Sequence, residues 1–130
     1  MTGVQTCALP IYPEGDPLGI YLRSLASLKR DMPERVLVLP GHNLPFVGLH
    51  TRVDELAAHH EARCLAIAEA CRGTPHTAAD LVPVVFRRTI DDPHQMGFAF
   101  SEVLAHVNYM LRENRLRPVP GSDTGVVFTA

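Results

Sequence analysis

Cysteine is scarce in this sequence, and several other signals are missing outright. The three cysteines stand at positions 7, 64 and 71. That number is small and odd, which excludes a disulfide scaffold and points to a reduced, cytoplasmic setting. A basic surplus is also lacking: 12 Lys and Arg face 14 Asp and Glu, for a net charge of −2 and a pI of about 6.4. A general nucleic-acid binder carries the opposite balance. No apolar run approaches the roughly 18 residues of a membrane span, so a membrane is not an expected partner. There is no glycine-rich phosphate loop, no nucleophile–histidine pair at a diagnostic spacing, no internal repeat and no low-complexity tract. What remains is 130 residues, 46% hydrophobic and 20% charged. That composition is globular, and the length suits one ordinary domain or a small domain plus part of another.

The first eleven residues, Met1 to Ile11, contain no charged residue and no clear period. They resemble the conceptual translation of a sequencing-library adapter. The expectation is therefore that residues 1–11 are non-native, that the native sequence begins near Tyr12 within a longer gene, and that Cys7 carries no function. Such a segment is set aside before fold reasoning.

The remainder opens on a helix start. Asp16 is an N-cap candidate and Pro17 fits the first helical position. Leu18, Tyr21, Leu22, Leu25 and Leu28 form one apolar stripe, and Lys29 and Arg30 close the helix where cations suit its dipole. Val36 to Leu39 is a short continuous apolar run, the pattern of a strand buried on both faces and usually parallel. Helix, turn and buried strand make half of a βαβ unit. Pro40-Gly41-His42-Asn43 follows at the carboxyl end of that strand, where open α/β folds place ligands and catalytic groups. Asn43 to Leu49 reads as a loop.

Thr51 to Arg72 reads as a long helix with Val53, Leu56, His60, Cys64, Ile67 and Cys71 on or near one face. Gly73-Thr74-Pro75 ends it. Thr77 and Asp80 form a capping box for a second helix, which Pro83 should bend or shorten. A third helix is expected from about Gln95 to Asn114, with Phe100, Val103, Leu104, Val107 and Leu111 as its stripe. Leu116–Val119 and Val126–Phe128 are strand-like runs around a turn at 120–125. Three helices and a hairpin follow the order of a winged-helix module.

His42 is the sharpest chemical candidate. Rigid backbone holds it at the rim, and imidazole is the commonest metal ligand. The plain alternative is a loop histidine with no role. His59 and Arg63 share a helix face at i and i+4. On the residues alone they read as a solvated face in which Glu55, His59 and Arg63 pair. Cys64 and Cys71 read as small buried hydrophobes. His106, beside the third helix's stripe, reads as a satisfied, partly buried histidine.

Taken together, Asp16-Pro17-Leu18, Leu37-Val38-Leu39-Pro40-Gly41-His42, Ala58-His59-His60-Glu61-Ala62-Arg63 and the pattern after Thr77 resemble the C-terminal end of metallo-β-lactamase-fold hydrolases. They are most similar to the glyoxalase-II-like proteins with an appended winged-helix domain. The resemblance implies an α/β fragment over residues 12–50, the last helix–strand unit of an αββα fold. A long connecting helix and a mostly α winged-helix domain over 51–130 would follow. It implies that His42 is a zinc ligand and that His59 and Arg63 face a small-molecule substrate. The family's other ligands, from a His-x-His-x-Asp-His motif, a further His and a bridging Asp, are not in this sequence. Asp16 suits a helix cap better than the bridging role, since Pro17 follows it. The implied intact enzyme holds one or two Zn²⁺ and hydrolyses an ester, thioester, lactone or phosphodiester, while this chain alone is inactive.

The winged-helix region carries five Arg against six acids between residues 75 and 130. Its third helix has one Arg and two Glu, too few basic groups for reading DNA. A lid, a pocket wall or a homodimer contact is the expected use. The contrasting reading is a non-enzymatic winged-helix module that binds nucleic acid or regulates a partner.

Overall fold

A computed structural model of the chain describes residues 15–120 and 127–129. The adapter-like segment with Cys7, and most of the turn expected at 120–125, lie outside the described residues.

Helix α1 spans Pro17–Asp31. Asp16 caps it as expected: its Oδ1 accepts a hydrogen bond from the Gly19 N–H at 2.9 Å. Position 19 must be glycine for this, because a Cβ there would sit 2.0 Å from Asp16 Oδ2. The helix buries Leu18, Tyr21 and Leu25, as the stripe requires.

Strand β1 is Leu37–Val38, shorter than the apolar run suggested. It pairs antiparallel with β2, Phe46–Val47, in the register Leu37↔Val47 and Val38↔Phe46. The expectation of a strand buried on both faces is not met among the described residues, and the expected loop at 43–49 contains the partner strand. The physical reason is coverage. Val36 and Val38 pack on the α1 side, but nothing described covers the other face. Leu37 and Leu39 are 62% and 67% exposed, and Leu44 in the connecting loop is 82% exposed.

Helix α2 runs Leu49–Cys71, two residues ahead of the expected start. Gly48, at φ 109°, has no side chain to cap it. Glu34 takes over from the preceding turn. Its carboxylate accepts from the His50 N–H at 2.5 Å and from Thr51 Oγ1 at 2.9 Å, and its carbonyl accepts from the Leu49 N–H at 3.2 Å.

Strand β3 (His76–Thr77) leads into α3, Ala78–Val85, through the expected capping box between Thr77 and Asp80. Pro83 lies inside this eight-residue helix. Helix α4, Pro93–Arg112, begins and ends two residues earlier than expected, because Asp92 caps it and Pro93 takes its first position. Strands β4 (Arg117–Val119) and β5 (Val127–Thr129) complete an antiparallel sheet in the order β3-β5-β4.

Two apolar clusters form the core. One joins Cys64, Ile67, Cys71, Leu81, Val103, Val107, Met110 and Leu116. The other joins Leu18, Tyr21, Leu25, Leu49, Val53 and Ala105. Helices α2 and α4 contribute to both, so the seam between the clusters runs across these two helices. No described helix is long and apolar enough to cross a membrane.

Candidate functional site

His42 stands just past β1, on an exposed corner formed by Pro40 and Gly41 and followed by Asn43 at φ 69°. The strand before it is a two-residue antiparallel one with Leu37 exposed, where a buried parallel strand was expected. The His42 ring joins no group of three metal-ligating side chains among the described residues.

His59 and Arg63 both lie on α2, but their surroundings differ. His59 is exposed. Partial burial, then the nearby charges of Arg63 and Arg52, hold its pKa below the usual imidazole value. Arg63 is half-buried. Its Nη1 donates to Glu102 Oε1 on α4, and its guanidinium lies 5.0 Å from the centre of the Phe86 ring. The alternative pairing of Glu55, His59 and Arg63 is not formed: Glu55 pairs with Arg52 at 3.1 Å.

The seam holds an arrangement that sequence reasoning did not assemble. His60 on α2 and His106 on α4 are 2% and 0% exposed, and His60 Nδ1 lies 3.1 Å from His106 Nε2. His106 Nδ1 lies 2.7 Å from the Glu102 carbonyl oxygen. A carbonyl only accepts, so His106 Nδ1 carries the proton and donates. In the neutral ring, His106 Nε2 is then an acceptor, and His60 Nδ1–H donates to it. His60 Nε2 is left with a lone pair, fully buried and without a hydrogen-bond partner among the described residues. Burial pushes both pKa values down, to about 4 for His60 and about 3 for His106. Each ring also opposes nearby positive charge, His60 that of His106, His59 and Arg63, and His106 that of Arg63 and His59. Both rings are therefore neutral at pH 7. The satisfied, partly buried ring expected at His106 is in fact buried completely, and its partner is another histidine. The available signals were Glu102 and His106 at i and i+4 on α4, and His60 on the apolar face of α2.

The ligand atoms of His60, Glu102 and His106 lie within 4.8 Å of one another. A groove of about 480 Å³ runs beside this group between α1, α2 and α4, lined in part by Leu25, Ala57, His60, Cys64 and Tyr109. Lys29 and Asp54, paired at 2.6 Å, also border it. Cys64 is not a nucleophile here, since burial pushes its thiol up to about 11. Cys71 is shifted the same way by burial.

The fold thus offers a mainly helical assembly, with an exposed histidine at the end of an apolar ribbon and a buried histidine pair between its helices. Residues 64–130 match the family described as "Metallo-beta-lactamase-like, C-terminal domain". The chain belongs to that family. It is similar to a beta-lactamase domain protein from Burkholderia ambifaria, with 42% identity and a TM-score of 0.83 over 90% of this chain and 34% of that one. It is also similar to a metallo-beta-lactamase family protein from Thermus thermophilus, with 33% identity and a TM-score of 0.70 over 88% of this chain and 33% of that one. The chain spans about a third of the length of these two proteins. No curated protein matches it.

Proposed function

We propose that this chain forms the C-terminal part of a metal-dependent hydrolase acting on an ester, thioester, lactone or phosphodiester, with His42 as one zinc ligand. One observation carries the reading. The β1–β2 ribbon leads straight to His42 and leaves Leu37, Leu39 and Val47 exposed, as the edge of a larger sheet would when its neighbours are not in the chain. The span of about a third of two relatives supports the same view.

His42 suits a metal as a single donor: an imidazole in the loop between β1 and β2, open to solvent. A catalytic zinc needs about three protein ligands, and no other described side chain joins His42 in such a set. The others would come from outside this chain. When bound, such a metal supplies an activated water and polarises the scissile group. Residues 12–50 are read as the last helix–strand unit of the hydrolase domain, and residues 51–130 as the connecting helix and a winged helix. The order α2–β3–α3–α4–β4–β5, with β5 central in its sheet, supports the winged-helix reading. Helix α4 holds only Arg112 as a basic end group, which favours a pocket wall or dimer contact over DNA reading. His59, exposed on α2, is the group best placed to meet a substrate anion. Arg63 is tied to Glu102 and reaches substrate only by sharing that carboxylate.

The test uses the full-length protein that carries this chain. His42→Ala should lower metal content and kcat/KM together by orders of magnitude. His59→Ala and Arg63→Ala should raise KM with little loss of kcat, costing about 1–3 kcal/mol for a charge-assisted contact. Unchanged zinc content and rate in His42→Ala would remove the ligand assignment.

A further inference from the structure

We propose that His60, Glu102 and His106 bind a divalent transition-metal ion in a site built from α2 and α4 alone. His60 and His106 are 2% and 0% exposed, and the three ligand atoms already converge to within 4.8 Å. Few side-chain movements are then needed to close around an ion. With metal–nitrogen bonds of about 2.0–2.1 Å, the 3.1 Å separation of His60 Nδ1 and His106 Nε2 corresponds to an angle of about 98° at the metal. Opening the pair by a few tenths of an ångström reaches the tetrahedral value.

Two of the three side chains already have what metal-bound ligands need. A ligating imidazole usually gives its second N–H to a carbonyl or carboxylate, which fixes the tautomer and aims the lone pair. His106 already does this through Nδ1 and the Glu102 carbonyl. A ligating carboxylate is usually held by a second hydrogen bond, and Arg63 holds Glu102. His60 lacks that support: its Nε2 is buried with no partner among the described residues, and this limits the affinity. The proton now on Nδ1 must leave before that nitrogen can coordinate, and the unpartnered Nε2 lone pair receives it. Metal entry thus exchanges one N–H···N hydrogen bond for two metal–nitrogen bonds, with no net loss of a proton from the histidines. Two imidazoles and one carboxylate suit Zn²⁺ and Co²⁺. The Arg63 guanidinium opposes the ion electrostatically and limits the affinity.

The metal-free 130-residue chain is titrated with Co²⁺, followed by its visible absorption, and then with Zn²⁺ in competition. One equivalent per chain is expected, displaced by Zn²⁺ and accompanied by a rise in Tm. Glu102→Gln keeps a partner for Arg63 and removes the carboxylate charge, so it should weaken binding at least tenfold. His106→Gln should do the same. If His106→Gln does not fold, Glu102→Gln carries the test alone. Arg63→Gln should tighten binding, which loss of a merely structural contact would not do. His94→Ala, at an exposed histidine at the start of α4, should bind like the wild type. The proposal is overturned by the absence of a stoichiometric site, by wild-type affinity in Glu102→Gln, or by loss of the site in His94→Ala.

Discussion

Acidification to pH 5 should destabilise this protein by about 4 kcal/mol, and the buried histidine pair sets the scale. Unfolded histidine titrates near 6.5, whereas burial holds His60 at about 4 and His106 at about 3. The folded state therefore binds fewer protons than the unfolded state throughout the interval between these values. Stability rises with pH wherever the unfolded chain binds more protons. The contribution is complete above about pH 6.5 and is lost as pH falls towards 4 and then 3. From pH 7 to pH 5 each imidazole costs about 2 kcal/mol, and the pair about 4 kcal/mol, against a typical domain stability of about 5–15 kcal/mol. Carboxylates protonate mainly below this window, so the histidines dominate it. Urea unfolding followed by far-UV circular dichroism at pH 7, 6 and 5, with a chelator present, measures the loss. A change below about 1 kcal/mol between pH 7 and pH 5 would refute the argument, because it would mean that the rings charge freely inside the fold. His106→Gln, which cannot take up a proton, should flatten the dependence by about half.

Two further outcomes follow from packing and capping. Ile67→Ala empties a fully buried position between α2 and the helices packed on it, and should cost about 2–5 kcal/mol in chemical denaturation. Gly19→Ala should gain nothing in the wild type, because the new Cβ displaces the Asp16 cap. In an Asp16→Ala background, the same change should stabilise by about 1 kcal/mol, the usual advantage of alanine over glycine in a helix. A thermal double-mutant cycle reads the coupling directly.

Local signals were legible in the sequence. Asp16-Pro17 and the Thr77–Asp80 pair each announce a helix through chemistry confined to three or four residues, and both form as expected. The apolar face of α2 is likewise written in its period. What escaped reading depends on partners far along the chain. The burial expected for Val36 to Leu39 is a property of what covers the strand, and the described residues cover one side of it. The two-residue strands β2 and β3 are too short to leave a period. Glu34 carries no sign that it will cap a helix fifteen residues later. The histidine pair joins residues 46 positions apart. Each ring alone looks like an ordinary side chain on or beside a helix stripe, and only the approach of α2 to α4 gives the two a shared proton.

The clasp formed by Glu34 has a mechanical consequence. Its carbonyl holds the Leu49 N–H while its carboxylate holds the next two residues. The chain between residues 35 and 48 therefore departs from the helical body and returns to it at one place, like a flap sewn along one edge. Pulling or lengthening the flap near Gly41 or Leu44 moves the His42 embedded in it, while α1 and α2 feel the load through that stitch and through Val36 and Val38. Drift in the length or composition of this stretch then repositions one imidazole by ångströms and leaves the helices that carry His59, His60 and Arg63 where they are. The two halves of any shared site are in that sense free to diverge at different rates.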